Sequence, residues 1–515
     1  MTVRSIFARI PEVEADPGLY PVSTWTQQRY KYWEYWNHFD GIWLDDTVSA
    51  TDQSLKYPLK LNPFNMPCIL HAGFLFGEVQ DGADPLVTAV VEPWGRNSSQ
   101  EKRDQATRMT DLINRVWTEN NGRALQQEGG LVAQVLGGCV YGAFFDPSLE
   151  EEGSLPIRID HVMPEYFFPI WSPIRYWELL EAIICFEITQ LQAQLMYGVE
   201  VSADNALYQE HWKQDSYEIT ADGKRVKWGG VTLKGQPLTG VPYVYIPHIR
   251  AGQFYGISLL HQKDKLAEEI NDRFADAGDI VSENARQLPA ITNARKVTTR
   301  RLDNGVTLLD LGTGIPGTPE PGITYPNGIQ VNDPTIRWAL ELLNLARTEA
   351  YTPPVTYGLD EGSQRSSLTL VMRMLPLIVH VRQERTLWTQ GLNHLARKVL
   401  QIAAKKGIEG ITPEMTRNVR IWQEWAPVLP RDHDMEVNEL IIRLNAGLIS
   451  PETALERLGD IRDTQTEMNL IREWLEYSSA LNAPAQDPFA GAGAGGEQAG
   501  MTRPSAPKPT LTEEE

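Results

Sequence analysis

SLLHQKDKLAEEINDRFADAGDIVSENAR, residues 258–286, decides how the rest of the chain is read. Apolar Leu266, Ile270, Phe274, Ala277 and Val281 follow one another at intervals of four, four, three and four, which marks one dry helical face. With Ser258 as the expected N-cap and Pro289 as the stop, the pattern predicts one helix of ~28 residues, ~42 Å long at 1.5 Å per residue. Its other faces carry Glu268, Glu269, Asp272, Asp276, Asp279 and Glu283 against Lys263, Lys265, Arg273 and Arg286. Outside the dry stripe the helix is predominantly acidic.

Upstream, residues 24–39 (TWTQQRYKYWEYWNHF) place Tyr30, Trp33 and Tyr35 or Trp36 at helical spacing and predict an aromatic helix that is core or subunit interface. From about 40 to 256 the text changes to short β-like runs, such as 86–91, 182–188 and 243–246, between helical stretches at 97–117 and 129–136. His161 and His248 sit near prolines with no second ligand at metal spacing, so both read as structural histidines.

Downstream, residues 290–333 read as strands and turns. They contain the basic run Arg295, Lys296, Arg300 and Arg301, then GTGIPG at 312–317. A dinucleotide site would need a helix to open at the last glycine, and Pro316, Pro319 and Pro321 forbid one, so the segment reads as a turn. A second helix starts at Asp333-Pro334 and ends at Thr352-Pro353-Pro354; fifteen aperiodic residues follow, then a long helix over 368–406 that Pro376 should kink. Three further helices are expected at 434–445, 450–458 and 463–481, capped at Ser450 and Asp463, and residues 482–515, rich in Ala, Gly and Pro, read as a disordered tail.

With 515 residues and 42% hydrophobic side chains the chain is a globular protein of α+β class, large enough for about three domains. Lys+Arg 47 against Asp+Glu 67 leaves a net charge of −20, which argues against tight DNA binding by charge neutralisation. Three scattered cysteines encode neither a disulfide framework nor a zinc site. No apolar run is long enough for a membrane span or a signal peptide. No phosphate loop, zinc-protease helix, nucleophile elbow or paired Cys/His cluster is present. The reading is therefore of a non-enzyme with no cofactor and no metal.

The order of parts resembles the portal, or head-to-tail connector, family of tailed double-stranded DNA bacteriophages, in its siphophage-type branch. The local texts that carry the resemblance are YGISLL and KLAEEIND at the first long helix, QRSSLTLVMRMLPL closing the aperiodic loop, and LPRDHDMEVNELIIRLNAGLISPETALERLG, with GLISPET at 447–453 the most specific. The resemblance implies a ring, normally of twelve subunits, at one capsid vertex, through which a terminase motor packages DNA and to which tail proteins later attach. It implies a wing over 1–256 and 368–407, stem helices at 257–286 and 334–352, a clip at 287–333, a tunnel loop at 353–367 and a crown at 408–481.

Carried onto this chain, the resemblance places Tyr357, Gly358, Asp360, Glu361, Gln364, Arg365 and Ser366 in a DNA-facing loop. It places Glu268, Glu269, Asp272, Asp276 and Asp279 on an acidic channel wall. Arg295, Lys296, Arg300 and Arg301 become a clip patch facing DNA, a docked partner or a neighbouring subunit. The partners implied are further copies of the chain, the terminase large subunit, capsid and scaffold proteins, head-completion or tail adaptors and passing DNA, without a membrane. The location implied is the virion, after assembly in the host cytoplasm. The alternative from composition, with Trp 15 and Tyr 18, is a glycan- or polymer-acting hydrolase, which would need two carboxylates facing across a cleft.

Overall fold

The structure is a computed structural model that describes residues 22–41, 61–77, 84–95, 98–151, 153–175, 177–201, 204–214, 216–226, 240–285, 290–294, 296–301, 307–310, 314–324, 333–359, 367–429, 433–458 and 464–481. It is mixed helix and sheet and divides into two compact units, 1–430 and 431–515. The expectations for the tail at 482–515, for Asp463 and for residues 360–366 of the loop fall outside the described residues.

The first unit opens with α1 (Val22–Asp40) and α2 (Asn65–Phe76), followed by β1 (Thr88–Pro93), α3 (Gln100–Glu119) and α4 (Gly122–Leu136). The aromatic stripe of α1 is offset from the sequence reading. Trp25, Tyr32 and Tyr35 are buried, whereas Tyr30 is 66% exposed. Gly137 ends α4 in the left-handed region at φ 83°, its amide on the Ala133 carbonyl, and β2 (Gly138–Phe145) begins at the next residue. A Cβ at Gly137 would lie 2.6 Å from the Gly256 carbonyl oxygen, so glycine is needed both for its φ and for the close approach of the segment after β9.

Strand β2 is buried along nearly its whole length because it is the centre of a three-stranded antiparallel sheet, between β3 (Ile157–Val162) and β9 (Tyr243–Pro247). Between those two come β4 (Phe167–Trp171), β5 (Leu179–Thr189), α5 (Gln190–Tyr197), β6 (Asn205–Trp212), β7 (Tyr217–Ala221) and β8 (Lys224–Arg225), whose strands form an antiparallel meander in chain order. Burial along β6 alternates strictly, and its dry side includes one acid, Glu210. The Glu210 carboxylate accepts from Tyr208 Oη (2.6 Å), Trp212 Nε1 (2.8 Å) and Tyr243 Oη (2.5 Å), which compensates the cost of burying it.

Next come α6 (Asp264–Ala285), the short antiparallel pairs β10 (Ala290–Thr292) with β13 (Gly322–Thr324) and β11 (Thr298–Arg301) with β12 (Thr307–Asp310), then α7 (Asp333–Glu349) packed on α6. Ser258 is not the N-cap. Its hydroxyl is buried, donates to the Val135 carbonyl (2.6 Å) and accepts from Leu260 N, and α6 starts six residues later. The buried side of α6 runs through Ala267, Ile270 and Ala275, with Leu266 and Phe274 half-buried beside them. Residues 314–318 form a bridge and turn, in line with the non-helical reading of the glycine-rich stretch.

The kink expected within 368–406 lies at Met374, the one residue between α8 (Ser367–Arg373) and α9 (Leu375–Lys406), where the bonds Met374 N to Leu370 O and Ile378 N to Met374 O (3.0 Å each) carry the helical path through. Pro376 causes the kink, since it lacks the amide that would bond the Met372 carbonyl. Trp388 on α9 is fully buried, edge-on to Phe76 (5.7 Å) and Tyr141 (6.3 Å), and Gly391 lies so close to β9 that a Cβ would stand 2.4 Å from Ile246 Cγ1. The last strand, β14 (Val419–Glu424), pairs with β1, more than 320 residues earlier in the chain, so the first compact unit extends to Pro430.

The second unit holds α10 (His433–Asn445), α11 (Pro451–Leu458) and α12 (Thr464–Leu481), within a residue or so of the sequence reading. Ser450 does cap α11, its Oγ accepting from Thr453 N at 3.1 Å. Ser450→Ala should therefore cost about 1 kcal/mol locally, seen as amide exchange over 451–458 that is about fivefold faster.

Candidate functional site

Helix α7 ends by a sequence-encoded stop. Tyr351 takes the left-handed region at φ 55°, Thr352 returns its amide and hydroxyl to the Arg347 carbonyl (2.9 and 3.2 Å), and Pro353-Pro354 forbid another turn. Lys263 Nζ, just before α6, donates to both the Glu349 carbonyl and its carboxylate (3.0 Å each), placing a cation at the negative end of α7. A 3-10 turn over Pro354–Tyr357 follows and closes on Gly358 at φ 69°.

Tyr357 is the anchor of this turn. Its hydroxyl meets Thr352 Oγ1 at 3.0 Å and the Arg347 guanidinium lies 4.9 Å over its ring. Val355 packs into a small apolar core with Met374, Leu377, Ile378 and Val381, at the point where α8 gives way to α9. Both ends of the loop are thus fastened to one patch, and Gly358 and Leu359 stand exposed at its edge. Asp360, Glu361, Gln364, Arg365 and Ser366 lie outside the described residues.

Beside this patch is a buried histidine junction. His71 of α2 bonds the Ala350 carbonyl through Nε2 (2.7 Å), His248 bonds the Ile257 carbonyl through Nδ1 (2.7 Å), and His248 Nε2 lies 3.0 Å from His380 Nε2 of α9. The ring of His380 stacks on Tyr351 at 4.5 Å and meets His71 edge-on at 4.8 Å. Burial pushes His71 and His248 down to about 4, and His380 is lowered by burial and by its two histidine neighbours. Glu384, one turn along α9, accepts from Gln134 Nε2 at 2.6 Å, and burial lifts its carboxyl to about 8. Sequence reading took His248 for an isolated residue. The available signal was His380 and Glu384, four apart on one helix face.

The acids named for the channel wall lie on α6 with cations among them. Lys265 pairs with Glu268 (2.8 Å), and Arg273 bridges Glu269 (2.8 Å) and Asp276 (2.6 Å), while Asp272 is exposed. Asp279 is helical, its side chain outside the description. Of the cations named for the clip, Lys296 is exposed, Arg300 and Arg301 lie on β11, and Arg295 falls outside the described residues.

A cleft of about 420 Å³ opens between β9 and α9, lined by Arg175, Arg250, His394, Arg397 and Lys398 and by one carboxylate, Glu178. Burial lowers Lys398 to about 8, and its Nζ donates to the Val241 carbonyl. A glycoside-cleaving cleft needs two opposed carboxylates, which this one lacks.

Residues 342–480 match the family model described as phage portal protein, SPP1 Gp6-like. This part of the chain is similar to phage portal protein. The portal match begins inside α7, crosses the loop, the kink at Met374, α9 and β14, and ends within α12, so it contains both flanks of the loop just described. It is the family that the order of parts resembled, one of structural, non-enzymatic virion components. No curated protein matches the chain. Among the described residues no helix is long and apolar enough to cross a membrane.

Proposed function

We propose that this chain is the subunit of a portal ring at one capsid vertex, through which a terminase motor drives double-stranded DNA and on which head-completion and tail proteins later dock. The observation that carries the reading is the portal match over 342–480, which covers the loop and the helices on either side of it. In this reading α6 and α7 form the stem, residues 287–333 the clip, 353–367 the tunnel loop, anchored at its start by Tyr357, and 408–481 the crown.

Two physical features support it. Helix α7 leaves Trp338, Leu340 and Leu345 about half exposed and α5 leaves Leu191, Leu195 and Met196 more so, apolar surface that neighbouring subunits of a ring would cover. The exposed side of α6 holds its few cations in ion pairs with its own acids, leaving none spare to neutralise phosphates. Each phosphate neutralised adds counterion-release affinity, so a wall of this kind lets duplex slide without sticking. The hydrolase alternative gains nothing from a match to a structural family or from a cleft with one carboxylate.

Native mass measurement of the purified protein tests the assembly: a closed oligomer of 58.0 kDa subunits, twelve in the form proposed, is expected, and a monomer at micromolar concentration contradicts it.

A further inference from the structure

We propose that His248, His380 and Glu384 form a structural transition-metal site, suited to Zn²⁺, that clamps the start of α9 to the strand–stem connection. His248 Nε2, His380 Nε2 and Glu384 Oε2 lie within 4.8 Å of one another, and all three residues are buried. A tetrahedral zinc ion with bonds near 2.0–2.1 Å holds its ligand atoms about 3.3 Å apart. The distances from His248 Nε2, 3.0 Å to His380 Nε2 and 4.0 Å to Glu384 Oε2, bracket that value, so small side-chain rotations bring all three to one ion.

The proton arrangement points the same way. His248 donates its Nδ1 proton to the Ile257 carbonyl, which leaves the Nε2 lone pair facing His380 Nε2; without an ion it accepts from His380 Nε2–H, and with His380 in its other tautomer both lone pairs face one ion, the far nitrogen of His248 being fixed as in a metal-binding histidine. Glu384 is oriented likewise, with Oε1 held by Gln134 Nε2, while Oε2 is fully buried and has no hydrogen-bond partner. An unpartnered buried carboxylate oxygen beside an imidazole lone pair lacks a positive centre, and a cation supplies it. His71 lies beside the three, its ring 4.8 Å from that of His380 and its buried Nδ1 without a partner. Two neutral imidazoles with one carboxylate favour zinc over magnesium or calcium, which prefer all-oxygen shells.

Such an ion would tie α9 to the segment after β9, and through His71 and the stacked Tyr351 it would brace the end of α7. The inference does not depend on the portal reading, since metal content can be measured whatever the chain's biological role.

The test uses the full-length protein, without a polyhistidine tag, in its native oligomeric state. Elemental analysis should give about one zinc per chain, and growth in cobalt in place of zinc should give the visible absorption of four- or five-coordinate Co²⁺ with nitrogen and oxygen ligands. H380Q and E384Q should each drop the zinc ratio at least tenfold. Chelation of the wild type should lower Tm by several degrees, reversed by added ZnCl2. If folded wild type holds no zinc and takes up none in equilibrium dialysis against ZnCl2, the site is refuted. Zinc that persists at full occupancy in both variants likewise refutes it. Should either variant fail to fold, the wild-type zinc ratio and cobalt spectrum decide.

Discussion

Replacing residues 358–364 with a Gly/Ser linker of equal length is expected to leave the oligomer intact and to drop the fraction of DNA-filled heads to that of a packaging-dead control. The assembly half follows from where the loop is fastened. Val355 and Tyr357 precede the replaced residues, and Met374, Leu377 and Val381 follow them, so the apolar patch that holds both ends is untouched. The packaging half follows from what is removed. Gly358 and Leu359 are exposed at the edge of that patch, and a Gly/Ser chain lacks the bulk of Leu359 and the charged and amide side chains of Asp360, Glu361 and Gln364. Filling counted in micrographs, with native mass in parallel, reads both halves. Unchanged filling removes the loop's role, and a collapsed oligomer shows that the loop builds the ring instead.

Trp388→Ala should be the most damaging single truncation. The indole is fully buried between α2 and β2, edge-on to Phe76 and Tyr141, and α9 runs too close to β9 at Gly391 to collapse onto the space left. Loss of a buried tryptophan under those conditions costs about 3–5 kcal/mol. The denaturant midpoint of the first unit should fall accordingly, and a cost below about 1 kcal/mol would mean that the core around α9 repacks freely.

Local patterns in the sequence set most elements, and the departures share a cause. The three C-terminal helices and the Ser450 cap are legible because periodicity, proline and cap residues agree over a short span. Pro376 marks the discontinuity at Met374 equally well. Ser258 misleads because its hydroxyl is drawn to the Val135 carbonyl, a partner 123 residues away that no local window contains. The pairing of β14 with β1 has the same character, since strand partners are chosen by tertiary burial rather than by neighbours in the chain.

The buried histidines are the sharpest case. His71, His248 and His380 come from a helix, a strand end and a second helix, and each alone is an unremarkable residue in an apolar run. Only the i, i+4 relation of His380 and Glu384 was visible in sequence, and its meaning depends on the third residue that folding brings. The residues proposed for a tunnel loop and a clip stand differently: the family resemblance alone suggested them, and the role proposed for them rests on assembly of several chains.

Electron microscopy of the purified, assembled protein tests the central claim most directly. The account predicts closed rings, twelvefold in projection, with an axial hole wide enough for a DNA duplex, roughly 20 Å, and with α6 and α7 lining the passage. Particles without an axial hole, or open filaments built from the same contacts, would contradict it.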